Sequence, residues 1–331
     1  MATLPVLTQT IDDIFTETWY EIRAEAADNI LNATPIWAAL KAAGCMKTQV
    51  GGNFITRTIR YGTESVKEVE KGDTLDMGEP ELETMAMWDW RYTSAHVQRS
   101  LIDDQKNAGK FKIKEYVGKR ISASKDALTA NFETVMTRAA RLTETGKGTS
   151  GLNDLLPLYA DRATGTFGKI VRSNEWWRPV YKSLTLPMEV NLVSDMRNIY
   201  NTIMAGGVGS VPPNLIITTQ DLFELYEDFG LNVSQIIKDS GGTLVDLGFD
   251  VLRFKGKPMI WSAGVVSAAA DQQMLFLNTD HIELVYDPNM WFAMTEWKPI
   301  PLQNERIAHF MCAVQMVSDE LRRHGRLAED P

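Results

Sequence analysis

The chain reads as an α+β protein with three parts: a long helix that serves as a spine, a two-stranded hairpin with an extended charged tip, and a compact α/β lobe. Three stretches predict this. Residues 111–142 contain no proline and set Phe111, Tyr116, Val117, Ile121, Leu128, Phe132, Val135, Met136 and Leu142 mostly in steps of three and four along one stripe. At about 1.5 Å per residue this is a rod of roughly 45 Å, longer than a compact core needs. The run FITRTIRY alternates with period two, Ile55, Arg57 and Ile59 against Phe54, Thr56 and Thr58, as a half-buried strand does. Further on, the apolar strand NLIITT leads straight into QDLFELYEDF and Gly230, a strand, helix and stop in α/β style.

Taken in order, Thr10 and Asp13 start an amphipathic helix carried by Ile11, Ile14, Phe15, Trp19, Ile22, Ile30 and Leu31. A short second helix follows: Thr34 caps it, Pro35 occupies its first turn and Gly44 ends it. The strand from Phe54 runs into GTESVKEVEKGDTLDMGEPE, too polar to build a core of its own, and returns over residues 81–98 through Met85, Met87, Trp88, Trp90 and Tyr92. An isolated hairpin is marginal in water, so it must lie either on its own domain or across a neighbouring subunit. After the spine, a loop-rich stretch carries Trp176 and Trp177, which look exposed, and a helix over 188–205 has Gly206 as its stop. The strands DVLRF and PMIW flank a Lys255-Gly256-Lys257 turn, and two more surround Asn278-Thr279-Asp280. ERIAHFMCAVQMVS is apolar enough to be buried on both faces, and DELRRHGRLAEDP reads as a charged tail.

Composition narrows the function. The 331 residues are 44% hydrophobic, which suits sizeable cores, and the net charge of -9 argues against a protein whose main business is gripping phosphates. Cys45 and Cys312 lie far apart and read as buried thiols of a reducing compartment. The N-terminal residues show no basic-then-apolar leader and no apolar run approaches about eighteen residues, so cytosolic synthesis and no membrane are expected. His96, His281, His309 and His324 are scattered without metal-ligand spacing. GKGTSG at 146–151 has the residues of a phosphate loop in the wrong order and after a helix; AGGVGS at 205–210 also follows a helix. No nucleophile elbow is present, and the carboxylate pairs Asp103-Asp104 and Glu81 with Glu83 sit where such groups are usually solvated or ion-paired. Neither turnover nor a cofactor is expected.

Collinear phrases along the whole chain, TPIWAALKAAG, VGGNFITRTIRYG, MWDWRYTSAHVQRSLIDDQKNAGKFKIKEYVGKRISASKDAL, GLNDLLPLYADRATGTFGKI, NLIITTQDLFELYE, VLRFKGKPMIWS and AVQMVSDELRRHGRLA, resemble tailed-bacteriophage major capsid proteins of the Hong Kong 97-like fold. The resemblance implies an N-terminal arm over 1–50, an extended-loop hairpin over 51–100, a peripheral domain over 101–190 and 291–325, an axial domain over 191–290 and a tail over 326–331. It implies intersubunit contacts on the hairpin, at Arg57, Arg60, Lys67, Glu68, Glu70, Lys71, Asp73, Trp88 and Trp90. Its partners would be further copies as hexamers and pentamers, a portal protein, in some relatives a decoration protein, and packaged double-stranded DNA held without sequence-specific binding. No long charged helix precedes the arm, so a separate scaffolding protein is implied. Lys67 and Lys71 sit where some relatives carry a cross-linking lysine, but no matching asparagine and glutamate stand out, and cross-linking is not expected. The location implied is the virion, after synthesis in the bacterial cytoplasm. Two alternatives stay open: an encapsulin-type compartment shell, which shares the fold, and a cytosolic α+β hydrolase using a carboxylate pair.

Overall fold

The computed structural model describes residues 34–64, 66–74, 78–106, 116–141, 146–205, 211–233, 252–265 and 272–329. The helix expected around residues 11–31 and the stop at Gly206 lie outside the described residues. Helix α1 is Pro35–Ala42. The first strands are β1 (Met46–Thr48), β2 (Phe54–Arg60), β3 (Glu83–Asp89) and β4 (Tyr92–Ser100), followed by α2 (Leu101–Lys106) and α3 (Tyr116–Thr137). Then come the one-turn α4 (Leu152–Leu155), β5 (Thr166–Phe167), β6 (Ile170–Val171), β7 (Val180–Ser183), α5 (Met188–Ala205), β8 (Leu215–Thr218) and α6 (Gln220–Val233). The remaining strands are β9 (Leu252–Phe254), β10 (Lys257–Trp261), β11 (Gln273–Leu277), β12 (Ile282–Tyr286), β13 (Ala293–Met294), β14 (Lys298–Pro299), β15 (Glu305–Ser318) and β16 (Gly325–Ala328).

The chain divides into two compact units, with α3 shared between them at Asn131/Phe132 and β15 at Cys312/Ala313. In the smaller unit, the first part of β15 pairs antiparallel with β13 and β14. There Arg120 donates to the Gln98 carbonyl at 2.9 Å, Lys125 lies over the Phe310 ring and Arg99 over Trp297. Polar and cation–π contacts thus join the burial of Leu128 in this stretch of α3.

The larger unit contains the lobe. Its six-stranded sheet has the order β7-β16-β11-β8-β10-β9, with β8/β10 and β7/β16 parallel. Helices α5 and α6 bury Leu192, Met196, Ile199, Ile203, Leu222 and Phe223 against Ile216, Met259, Met274, Phe276 and Leu327 of that sheet. Gly325 is required where α5 crosses: a Cβ there would meet Ile203 Cδ1 at 2.6 Å. The Lys255-Gly256 turn between β9 and β10 has both residues at positive φ, as a tight hairpin needs. Separately, β1 runs parallel to β12, and β12 pairs antiparallel with the second part of β15, from Ile282 opposite Ser318 to Tyr286 opposite Val314.

Several expectations need correction. The spine helix ends at Thr137, five residues short of Leu142, because Asn153 Nδ2 donates to the Thr137 and Arg138 carbonyls (3.0 and 2.9 Å) and the Asp154 carboxylate binds the guanidiniums of Arg138 and Arg141. Residues 111–115 and 142 lie outside the described residues. Helix α6 runs through Gly230 to Val233, since one glycine costs a helix only about 1 kcal/mol. Trp177 is buried, its Nε1 donating to the Phe167 carbonyl at 2.8 Å. The supposed charged tail is an inner strand: β16 lies between β7 and β11, and Arg326 is buried where Asn153 and the Leu156 carbonyl accept from it at 3.0 and 2.6 Å. The lobe is accordingly not confined to 191–290. It takes strands from 180–183 and 325–328, while β12 belongs to another sheet.

Two buried side chains pin the frame. Thr34 makes no side-chain cap to α1; Glu133 of α3 does so instead, its carboxylate accepting from Ile36 N at 3.2 Å and Trp37 N at 2.8 Å, beside the stacked Trp37 and Phe132 rings. His324 sits at the crossover between sheets, accepting from Asn278 N on Nδ1 (3.1 Å) with Nε2 against Ser318 Oγ (3.3 Å). Burial pushes the His324 pKa down to about 3. With the folded value below the unfolded one, its contribution to stability is complete above pH 6.5 and is lost as pH falls from there toward 3. The expected result is a loss of about 2 kcal/mol from this group by pH 5. Denaturant midpoints across that range, compared with His324→Asn, will show it; a variant with the same pH slope as the parent would remove His324 as the cause.

Candidate functional site

The hairpin combines a base packed on the chain with an exposed tip. Strands β2 and β3 pair antiparallel from Phe54 opposite Asp89 to Arg60 opposite Glu83 and form a two-stranded sheet. Alternation gives it two faces. The inner row contains Ile55, Arg57 and Ile59 with Thr84, Ala86 and Trp88; the outer row presents Phe54, Thr56, Thr58 and Met85. Phe54 and Met85 remain 41% and 55% exposed, an apolar display on the outer face even with the Lys169 ammonium over the Phe54 ring.

The hairpin base rests on the chain itself. Trp88 is 1% exposed and meets Phe167 edge-on at 5.7 Å. Gly168, at φ 62, lies so close beneath that a Cβ there would meet Trp88 at 2.6 Å, and its carbonyl accepts from Met87 N at 3.0 Å. Lys169 stands over the Phe54 ring at 3.9 Å and reaches Asp89 at 3.1 Å. The return strand, expected as one run over 81–98, breaks between β3 and β4, where Trp90 Nε1 donates to the Gly52 carbonyl (2.8 Å) and the Arg91 carbonyl accepts from Val314 N (3.0 Å).

The proposed contact residues therefore separate into two sets. Trp88 is used up in the intrachain base, Trp90 is half-buried on Gly52, and Arg57 donates to Glu283 through Nε at 2.8 Å and Nη2 at 2.5 Å. Arg60, Lys67, Glu68, Glu70, Lys71 and Asp73 are exposed. The tip's described bonds are local: Lys67 Nζ to the Thr74 carbonyl (3.2 Å), and Glu70 N to Asp73 Oδ2 (2.9 Å) around Gly72 at φ 101. Val66 is 93% exposed. At the boundary, Tyr61 stacks on Trp176 at 4.5 Å and donates to Glu81 at 2.9 Å. Glu283 and the Phe167-Gly168-Lys169 platform escaped the sequence reading, since nothing local marks a residue whose partner lies 226 positions away.

Alternative chemistries fare differently in the geometry. The GKGTSG loop turns three carbonyls onto Arg141, Lys147 and Gly148 accepting at 3.1 and 3.2 Å and Thr149 at 3.1 Å, while its Ser150 and Gly151 amides are taken by Gln315 (3.1 Å) and Asp154 (2.9 Å). That is a guanidinium cradle, opposite in polarity to a phosphate loop. Ser318 and His324 form a serine–histidine pair, but Nδ1 of His324 accepts a backbone N–H, so Nε2 carries the proton and cannot take one from Ser318. Glu81 binds Tyr61, Glu83 faces Arg60 across the hairpin, and Asp103-Asp104 lies in α2. Among the described residues no cluster of three or more His, Cys, Asp or Glu is placed to hold a metal, and no helix is long and apolar enough to cross a membrane.

The fold is that of shell-forming capsid subunits, the Hong Kong 97-like α+β fold. The chain is similar to a solved subunit of the cyanophage A-1(L) capsid, with a TM-score of 0.66 and 17% identity over 93% of this chain and 96% of that one. It is similar to the capsid of Myoviridae phage XM1 at a TM-score of 0.57 and 10% identity, covering 88% of this chain and 90% of that one. The SrpI encapsulin of Synechococcus elongatus PCC 7942 aligns at a TM-score of 0.56 and 8% identity over 98% of this chain and 96% of that one. No protein-family model and no curated protein matches the sequence.

Proposed function

We propose that this chain is the major capsid protein of a tailed double-stranded DNA bacteriophage, and that it self-assembles as hexamers and pentamers into an icosahedral head. The likeness to the cyanophage capsid subunit over nearly the whole of both chains supports this reading best. The exposed tip gives it a physical basis. The work of such a protein is mechanical: many modest interfaces per subunit, each repeated over the shell. On this reading residues 1–50 are the arm, 51–100 the extended loop, 101–190 with 291–325 the peripheral region and 191–290 the core of the axial region. Arg60, Lys67, Glu68, Glu70, Lys71 and Asp73 are the tip's contacts to a neighbour. A separate scaffolding protein, a portal protein and, in some heads, a decoration protein complete the assembly. The protein is made in the host cytoplasm and resides in the virion without catalysing a reaction.

Electron microscopy of the purified protein, alone and co-expressed with a scaffolding protein, tests the reading. Uniform closed shells are expected, and stable small oligomers under both conditions would sink it. The encapsulin likeness defines the second outcome: shells with a protein cargo and no affinity for a packaging portal belong to a compartment. Limited proteolysis adds a cheaper check. Residues 63–79 are cut rapidly in free subunits and protected in shells, because a charged, glycine-punctuated loop is cleavable until something covers it. Equal rates in both states would remove the tip from the interface.

A further inference from the structure

The lobe carries a cluster of cations, Arg197, Lys255 and Lys257, in a chain of net charge -9. Helix α5 turns Ser194, Arg197, Asn198 and Asn201 outward, with Arg197 and Asn201 one turn apart. The β9–β10 turn places Lys255 beside them: its Nζ donates to Asn201 Oδ1 at 2.8 Å and stands 4.2 Å from the centre of the Tyr200 ring. The turn's positive-φ geometry fixes the stem of Lys255, and Lys257 follows on β10. Among the described residues, none of Arg197, Lys255 and Lys257 forms a salt bridge, whereas Lys182, Lys169, Arg178 and Arg323 all do. Burial against its neighbours, and then the Arg197 charge, hold the Lys255 ammonium below the ordinary lysine range. Like charges brought together without a counter-ion are an incomplete arrangement that a polyanion completes.

We propose that Arg197, Asn201, Lys255 and Lys257 form a phosphodiester-backbone contact through which each subunit touches the packaged nucleic acid. This rests on the shell reading above for its occupant, while the site itself rests on the lobe's geometry. The chemistry is that of backbone binding without base readout: two or three cations beside the amide and hydroxyl donors on the outward face of α5, with no exposed aromatic side chain named among them. So small a set grips weakly. Weak contact, repeated in every subunit, suits a genome that must be held and then released.

The test is binding of a short DNA duplex to purified subunits, by fluorescence anisotropy, as a function of salt. Each phosphate contact adds about 0.9 to the slope of log affinity against log salt. The double variant Arg197→Gln/Lys255→Gln is expected to lower that slope by roughly 1.8. Lys255→Arg in an otherwise parental chain is expected to keep it, which separates loss of charge from loss of the contact with Tyr200. Lys67→Gln/Lys71→Gln makes the same change in net charge at the hairpin tip and should leave the slope alone. An unchanged slope in the first variant, an equal fall in the tip variant, or no duplex binding by the parent at low salt would each overturn the proposal. Competition by inorganic phosphate as effective per charge as by duplex would do so too, since the site would then be a general anion site. Shell formation does not enter the measurement, so failure here and failure of the capsid reading are told apart by microscopy of the same samples.

Discussion

Replacing residues 63–79 with a tight turn leaves the subunit folded and abolishes stable closed shells. The described residues of that segment are all exposed, and Lys67 binds the Thr74 carbonyl and Glu70 N the Asp73 carboxylate within it. Val66 and Val69, at 93% and 50% exposure, add almost nothing to a core whose stabilisation scales with buried apolar area at about 25 cal/mol per Å². The truncation should spare Tyr61, Gly62, Glu81 and Leu82. Tyr61 stacks on Trp176, and Gly62 lies so near the Glu81 carbonyl that a Cβ would sit 2.3 Å away. The melting temperature of the shortened subunit is expected to stay within about 2 °C of the parent, the effect of a few tenths of a kcal/mol on a chain of this size. Sedimentation velocity is expected to show no shell boundary. A large drop in melting with normal shells would place the tip in the subunit's own core and take away its role between subunits.

Trp88→Ala is expected to act in the opposite sense, destabilising the subunit itself by about 4 kcal/mol. The indole fills the space above Gly168 and against Phe167, and its removal leaves a cavity that the hairpin backbone cannot close. The indole Nε1 is buried without an acceptor, so Trp88→Phe removes an unpaired donor together with part of the volume and should cost no more than about 1.5 kcal/mol. Urea midpoints of isolated subunits measure both. If Trp88→Ala subunits unfold at the parental midpoint yet fail to assemble, Trp88 belongs to the interface and the intrachain account of the hairpin base is wrong.

The contrast between these two variants marks where sequence reasoning succeeds. Period-two alternation separated the two rows of β2 correctly, and the structure buries Ile55 and Ile59 of one of them. It could not say that the platform beneath was Phe167-Gly168, a two-residue strand and a glycine in a stretch rich in loops. Of the two placements open to the hairpin, its own domain or a neighbour, the base takes the first for that reason, and the bonds of Lys67 and Glu70 at the tip are local. Likewise the apolar run of β15 showed as a strand with the same bounds in sequence and structure, but it is buried on both faces only from Cys312 onward, with Arg306 and His309 exposed before that. The end of α3 did not, because Asn153 and Asp154 terminate it from sixteen or so residues away, and the local pattern through Leu142 is helical. Composition misled most at Arg323 and Arg326. Two arginines in a charged stretch read as solvated, yet both are buried, one against Glu320 and one among neutral acceptors.

The position of β16 has a consequence for synthesis. Strands β11 and β7 both hydrogen-bond to it, and it is translated after them, about fifty residues behind β11. Until residue 328 has left the ribosome, β11 therefore carries an open edge on an otherwise assembled apolar sheet, the kind of edge that recruits foreign strands. Nascent chains on one polysome would stand side by side in that state. Slow elongation through residues 278–328 should raise the insoluble fraction, and the requirement for a general chaperone should fall on this interval of translation rather than on the finished subunit.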